Sequence, residues 1–339
     1  MNDLSAQLGG KKVLVTGSDG FIGSHVVETL LGLGAQVRAF ALYNSFGSLG
    51  WLDSSTPFSA ALDSGQAEFV LGDIRDAEHV AESVRGVDIV LHLAALIAIP
   101  HSYSAPRSYV DTNVTGTLNV LEAVRRHGTQ RLVHTSTSEV YGTPETVPIT
   151  EDHALRGQSP YSATKIAADK LAESYALSFG TPVTVLRPFN TFGPRQSTRA
   201  VIPTILSQLL AGAPQLRLGS LHPKRDFTYV TDTASGFAHA AVADLAPGTT
   251  VQLGTGRTVS VGEIVDLAIK LTGAEAEVVT EDERIRPDGS EVEILLSDPT
   301  RAKELLGWEP KVDLESGLER TAAWIRDSVD LTATHRYHR

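Results

Sequence analysis

Three glycines at intervals of three, Gly17, Gly20 and Gly23, stand between a run that reads as a short buried strand, Lys11-Lys12-Val13-Leu14-Val15-Thr16, and a segment with helical apolar spacing from Ser24 to Leu33. No other stretch restricts the fold as much. Gly17 permits a tight turn at the strand end, Gly20 lets backbone approach a pyrophosphate, and Gly23 lets the helix pack on the strand. Phe21 and Ile22 lie in the same turn. Phosphates would sit at the helix N-terminus, where free N–H groups and the helix dipole favour anions. A bare glycine spacing also marks plain tight turns; the strand before it and the helix after it favour dinucleotide binding.

Strand and helix then alternate. Ala35–Phe40 reads as a second strand. A carboxylate for the ribose hydroxyls of NAD often follows such a strand. Here Ala41-Leu42-Tyr43-Asn44 holds none, so Asn44 is the candidate ribose partner, and Arg38 is either a 2′-phosphate partner or a solvated strand residue. NAD and NADP both stay open on this reading. Ala67–Val70 is a third strand, ending in Gly72-Asp73-Ile74-Arg75-Asp76; Asp73 is placed for the adenine amino group or, like Asp76, for a helix N-cap. Val87–Leu93 is a fourth strand, and Ala94 and Ala95 after it are small enough for backbone to close on a cofactor. A helix is expected over Asp111–Arg126, carrying Asn113 and Gly116, and a fifth strand over Arg131–Ser136, delivering Thr137, Ser138 and Glu139 at its carboxyl end. A helix over Pro160–Phe179 and a sixth strand over Pro182–Leu186, left by Arg187-Pro188-Phe189-Asn190, complete the pattern. Regular alternation predicts an α/β fold: a Rossmann-type doubly wound parallel sheet with helices on both faces. After about Pro194 shorter pieces divided by Gly and Pro predict a smaller carboxyl-terminal substrate-binding domain. The expected boundaries are 1–193 and 194–330, with chain crossing between them, and 331–339 as a tail.

Ligands of doubly wound sheets bind at the carboxyl ends of the strands, where the Thr137-Ser138-Glu139 triplet stands. Tyr161 and Lys165, four residues apart, share a helix face. An ammonium beside a phenol favours the phenolate and so is expected to lower its pKa, which lets Tyr161 take a proton from a sugar hydroxyl. Glu139 adds a second base, which an alcohol oxidation alone does not need.

Composition excludes other classes. Lys plus Arg is 29 against 40 Asp plus Glu, a net charge of −11, which disfavours a nucleic-acid partner and asks for a locally basic pocket if the substrate is anionic. Lys224-Arg225 and Arg284-Ile285-Arg286 are the two basic spots in the second half. Without cysteine there is no thiol catalysis or thiolate metal site, and the 11 histidines show no metal-ligand spacing; His335 and His338 fall in the tail. The longest apolar run, Ile89–Pro100, is too short to span a bilayer, and no targeting segment is visible, so a soluble cytoplasmic chain is expected.

Together these segments resemble the extended short-chain dehydrogenase/reductase family, in its NAD-dependent nucleotide-sugar epimerase and dehydratase branch. The likeness runs through the three glycines, Gly72-Asp73-Ile74, His92-Leu93-Ala94-Ala95, Asn113–Thr117, Ser136–Gly142, Tyr161–Lys165, Arg187–Asn190 and Arg225–Val230. Leu42–Phe46 with Gly50–Asp53, and Ala95-Leu96-Ile97 with Ser102-Tyr103, resemble sugar-nucleotide 4,6-dehydratases of legionaminic-acid type pathways. The resemblance implies a tightly bound, recycled NAD and a sugar nucleotide held by the second domain. It implies Tyr161 as base at the sugar C4 hydroxyl, Lys165 on cofactor ribose and tuning Tyr161, Thr137 on the C4 oxygen, and Asn190, Arg225 and Arg286 on the substrate, the two Arg near its phosphates. It further implies C4 oxidation, loss of water across C5 and C6 with Glu139 taking the C5 proton, and hydride return to C6, on an NDP-N-acetylglucosamine or NDP-hexose. The dTDP-glucose branch carries an Asp before the Glu; here Ser138 stands there, as in the GDP-mannose branch, which leaves the acid for the C6 hydroxyl to Glu139 or a water. A UDP-glucuronate decarboxylase carries similar residues, a 4-epimerase usually lacks the Glu, and a non-catalytic dinucleotide-binding regulator would have no use for the Tyr and Lys. Family members commonly form homodimers through the Tyr161 helix and the one before it.

Overall fold

The computed structural model describes residues 4–331 apart from Arg286. Each apolar run of the first half forms one strand of a single parallel sheet: β1 Lys12–Thr16, β2 Gln36–Leu42, β3 Ala67–Gly72, β4 Ile89–His92, β5 Arg131–Thr135 and β6 Val183–Pro188. A seventh strand, Thr250–Leu253, pairs with the outer side of β6, so the order is Thr250–Leu253, β6, β5, β4, β1, β2, β3. The chain runs outward one way through β1, β2 and β3 and the other way through β4, β5 and β6. The order therefore reverses between β1 and β4, where such sheets open a crevice for ligand.

Both faces of the sheet are buried because side chains alternate along each strand. Val13, Val15, Leu91 and Val133 face the helices Phe21–Gly32 and Val230–Val242. Leu14, Val90, Leu132 and Val183 face the helices Ala77–Val84, Gly116–His127 and Pro160–Phe179. Full burial of each such Val or Leu contributes about 1.5–3 kcal/mol. The helix Pro160–Phe179 starts where Ser159 Oγ accepts from Ser162 N–H and Ser162 Oγ accepts from Ser159 N–H, and it stops at Gly180, whose φ of 65° closes the last turn.

The second half is not a separate body. Val230–Val242 packs on Phe21–Gly32, and Thr250–Leu253 extends the large sheet. The chain after residue 193 thus contributes to the first core and the large sheet as well as to the core described next. The helices Val201–Leu210, Val261–Thr272 and Leu314–Ser328, with short strands, enclose a further core around Phe192, Ile205, Tyr229 and Ile264. Among the described residues no helix is long and apolar enough to cross a membrane, and no group of three His, Cys, Asp or Glu could hold a metal ion.

Candidate active site

All strands of the sheet point the same way, so their carboxyl ends line one edge. Gly17 leaves β1 there with φ 68°, and a Cβ on it would lie 2.8 Å from Ala94 N. A Cβ on Gly23 would lie 2.0 Å from Gly17 O, so the helix and the turn touch through bare backbone. Gly20 caps the helix Phe21–Gly32 with no side-chain hydrogen bond to its first N–H groups. Ser18 Oγ is buried beside them with no partner among the described residues. Donors left open at a helix N-terminus fit a pyrophosphate. Phe21 and Ile22 are half-buried and reach the further core of the second half.

The adjoining strand ends supply the rest of the cradle. Leu93, Ala94 and Ala95 follow β4, held by Ala94 N–H to Thr16 Oγ1 at 3.2 Å. Asn113 grips the next residue from both sides, accepting from Leu96 N–H at 2.8 Å and donating to Leu96 O at 3.0 Å. The expected single helix over Asp111–Arg126 is instead a wider-wound turn, Val110–Thr115, followed by Gly116–His127. A bulge of this kind is common at functional sites. Ile74 is buried against Gly116, where a Cβ would come within 2.7 Å of its Cγ2. Asp73 is not a helix cap: Asp76 takes that role, accepting from His79 N–H at 3.1 Å. The Asp73 carboxylate is instead held by Arg75, which keeps it below its ordinary range.

Two residues weighed for the ribose are otherwise engaged. Asn44 spends its amide on its own loop, donating to Ser48 O at 2.8 Å and accepting from Ser48 N–H at 3.0 Å. Arg38 donates to Glu68 at 2.7 Å and to the carbonyls of Ser83 and Arg85, and so is no free partner for a 2′-phosphate.

Thr137, Ser138 and Glu139 follow β5 on a tight turn in which Thr137 Oγ1 accepts from Glu139 N–H at 3.3 Å. Ser138 is buried, and Glu139 and Thr137 are half-buried. Tyr161 faces the turn, 7% exposed, with its ring edge-on to Tyr109 at 6.3 Å. Its pKa contradicts the expectation of a lowered phenol. Burial pushes the phenol well up, a hydrogen bond with Thr137 pulls it down, and the Glu139 carboxylate pushes it up again. Lys165 does not counter this, because its Nζ donates to Thr135 O at 2.6 Å and its own pKa is brought down by burial to about 8. Sequence spacing put both residues on one face but did not fix where the ammonium points.

On the substrate side, Asn190 leaves β6 with its Oδ1 buried and without a partner among the described residues. Arg225 is buried in an ion pair with Glu291 at 3.2 Å. The second basic spot is partly neutralised too, Arg284 pairing with Glu281 at 2.7 Å, and Arg286 lies outside the described residues.

The sequence profile of the family described as GDP-mannose 4,6 dehydratase matches residues 14–321. The chain belongs to this family. Within its extended short-chain dehydrogenase/reductase fold, nucleotide-sugar dehydratases and epimerases are both similar to the chain. A dTDP-glucose 4,6-dehydratase of Streptomyces griseus is 35% identical over 312 residues, 92% of this chain and 93% of the relative. The dTDP-glucose 4,6-dehydratase DesIV of Streptomyces venezuelae, solved with NAD bound, superposes with a TM-score of 0.84 at 31% identity, over 94% of this chain and 97% of that one. An epimerase of Methanothermobacter thermautotrophicus gives 0.85 at 31% identity, over 96% and 95%.

Behind the family's Tyr and Lys lies a polar network that the sequence pattern did not reveal. Asp169, fully buried, accepts from Ser136 Oγ at 2.7 Å and from Arg187 Nη2 at 3.0 Å, and shares a hydrogen bond with His134 Nε2 at 3.2 Å. Arg187 Nη1 donates to Tyr141 Oη at 3.1 Å, and Tyr141 donates to Gln252 on the seventh strand at 3.0 Å. A signal was present: Asp169 stands four residues after Lys165 and eight after Tyr161, on the same helix face.

Proposed function

We propose that the chain is an NAD-dependent nucleotide-sugar 4,6-dehydratase acting on an NDP-N-acetylglucosamine or NDP-hexose. The observation that carries this reading is the position of Glu139. Its carboxylate is half-buried on the turn that also bears Thr137, and it acts electrostatically on the Tyr161 phenol. A second base at that place serves proton removal from carbon, which oxidation or epimerisation at C4 does not need. NAD rather than NADP is supported by the engagement of Arg38 and by the solved relatives with NAD bound.

NAD, when bound, would supply hydride acceptance from C4 and its return to C6. The glycine turn and Leu93–Ala95 would hold it, with Asp73 and Ile74 toward its adenine and Lys165 toward its ribose. Tyr161 Oη takes the C4 hydroxyl proton once the Lys165 ammonium turns from Thr135 O toward the phenol and draws its raised pKa down, while Thr137 Oγ1 bonds the same oxygen. Oxidation at C4 acidifies the C5 hydrogen, and the Glu139 carboxylate takes that proton. The C6 hydroxyl leaves as water, with its proton coming from Glu139 or from a water, since a serine hydroxyl at Ser138 is too weak an acid. Asn190 and Arg225 hold the nucleotide sugar, the guanidinium exchanging Glu291 for diphosphate oxygens. A homodimer would use the helix Pro160–Phe179, on which Leu177 is exposed.

Incubation of the purified protein with a panel of nucleotide sugars, followed by mass measurement, tests the reading. Loss of water from one of them is the expected result. Loss of carbon dioxide would assign a decarboxylase, and an isomer of unchanged mass an epimerase.

A further inference from the structure

Lys165 is 4% exposed, and among the described residues its Nζ donates to a carbonyl, that of Thr135 at 2.6 Å. A buried ammonium with no anion near it sheds its proton. The groups facing Lys165 come from three elements. His92 on β4 is tied to Thr16 Oγ1 at 2.8 Å and Thr117 Oγ1 at 3.1 Å. His134 lies on β5, and its ring stands 5.8 Å from that of His92. Burial holds both imidazoles below their ordinary range, so neither supplies charge at neutral pH. The third group is Asp169, one helical turn along from Lys165 on the same face. Arg187 on β6 faces Asp169 from the other side. One carboxylate is thus set between two buried cations, and its oxygens are fixed by donors from Ser136 and Arg187 and by His134.

We propose that Asp169 is a positioning residue for the reaction: the anion that keeps the Lys165 ammonium charged inside the protein, and so available to the cofactor ribose and the Tyr161 phenol. Asp169 touches neither substrate nor cofactor; it acts through Lys165, while its own charge pushes the Tyr161 phenol up. The proposal rests on the reading of Lys165 as part of the reacting site. Asp169 is the attraction that opposes burial at Lys165, and with it the ammonium titrates at about 8. The sign follows. Below that pH Lys165 is charged; without Asp169 the crossover moves to lower pH, and the neutral amine dominates at pH 7.

The test reads the Lys165 proton without turnover. The chain has eight lysines, so isotope labelling at lysine Cε gives few NMR signals, and Lys165→Met identifies the one of interest. In the full chain with NAD bound and no sugar nucleotide, the wild-type signal should titrate below the ordinary lysine range. In Asp169→Asn the midpoint should fall by about one to three pH units. Because this variant leaves Arg187 without its anion and so risks misfolding, Asp169→Asn with Arg187→Met removes both charges, and a fall in the same direction is expected in it, reduced because a repelling cation goes with the anion. A folded variant of either kind with a midpoint within a few tenths of wild type overturns the proposal and leaves Asp169 a structural anchor. Since no sugar nucleotide is present, failure of the dehydratase reading leaves this measurement untouched. Where a substrate is in hand, the basic limb of the pH profile for cofactor reduction should move with the midpoint; a limb that stays in place overturns the proposal as well.

Discussion

Glu139→Gln keeps the size of the side chain and removes its basicity. If Glu139 takes the C5 proton, this variant should lose water-eliminating turnover by about 10²- to 10⁴-fold. Tyr161 and Thr137 stay intact, so substrate should still reduce the bound cofactor, visible as growth of the reduced nicotinamide absorbance, which then persists. Dehydration at the wild-type rate would remove Glu139 from the role. The same scale shows why spacing alone misjudged Tyr161. A Tyr and a Lys four apart read as a tuned pair, yet the phenol is fully enclosed and burial outweighs every neighbour that lowers it. Lys165 is itself pushed down, and its ammonium is aimed at Thr135 O. Desolvation depends on what packs above a side chain, and four-residue spacing carries none of that information. Asn44 is a similar case: a side chain that sequence offers to a ribose is consumed by four hydrogen bonds within Leu42–Ser48.

At the level of elements, the glycine turn makes a sharp demand. Gly17→Ala places a Cβ 2.8 Å from Ala94 N at a φ of 68°. Both the strain and the clash act on the segment that cradles the pyrophosphate. The variant should lose about 1–3 kcal/mol in urea unfolding and should be purified with markedly less bound dinucleotide, measured by absorbance of the acid-released cofactor. Full cofactor occupancy would show that the turn is not the cradle. The turn was legible in the sequence for the same reason that it is sensitive: only glycine meets those contacts, and β1 and its helix declare themselves on either side. β1 to β6 were legible as short apolar runs, with Gly17, Gly72 and Pro188 marking the ends of β1, β3 and β6. The seventh strand was not. Gln252 interrupts its apolar run, and that side chain is satisfied by residues distant in sequence, accepting from Tyr141 Oη at 3.0 Å and donating to Ile149 O at 2.6 Å and to Asp298 O at 2.9 Å. The bulge at Val110–Thr115 was hidden likewise, since Asn113 turns inward to grip Leu96, a tertiary contact that helical spacing does not encode.

For the molecule as a whole, the reading needs two sets of side chains on one nucleotide sugar: Tyr161 and Glu139 from the sheet edge at the hexose, Arg225 from the second half at the diphosphate. Their separation is fixed by how the halves are joined. One tie is polar and lies within the second half, fixing the chain before Leu314–Ser328 to the helix that packs on Phe21–Gly32: Trp308 Nε1 donates to Asp232 O at 3.0 Å and the Asp232 carboxylate accepts from the N–H groups of Lys311 and Val312, each at 2.9 Å. The other is aromatic. Trp51, next to the glycine turn through its N–H to Asp19 O, meets Trp324 of the helix Leu314–Ser328 edge to face, centroids 5.4 Å apart. If this contact clamps the halves, Trp51→Ala and Trp324→Ala should each destabilise the fold, and their effects should fall short of additive. A double-mutant cycle from urea unfolding of the four proteins should give a coupling of about 0.5–1.5 kcal/mol. The same pair lies between the dinucleotide turn and the carboxyl-terminal helix, so each single variant should raise the KM for the nucleotide sugar more than it lowers kcat. Additive stabilities with an unchanged KM would leave the joining to the Asp232 tie and the helix packing on Phe21–Gly32, and the aromatic contact would then be packing without consequence for the distance between Tyr161 and Arg225.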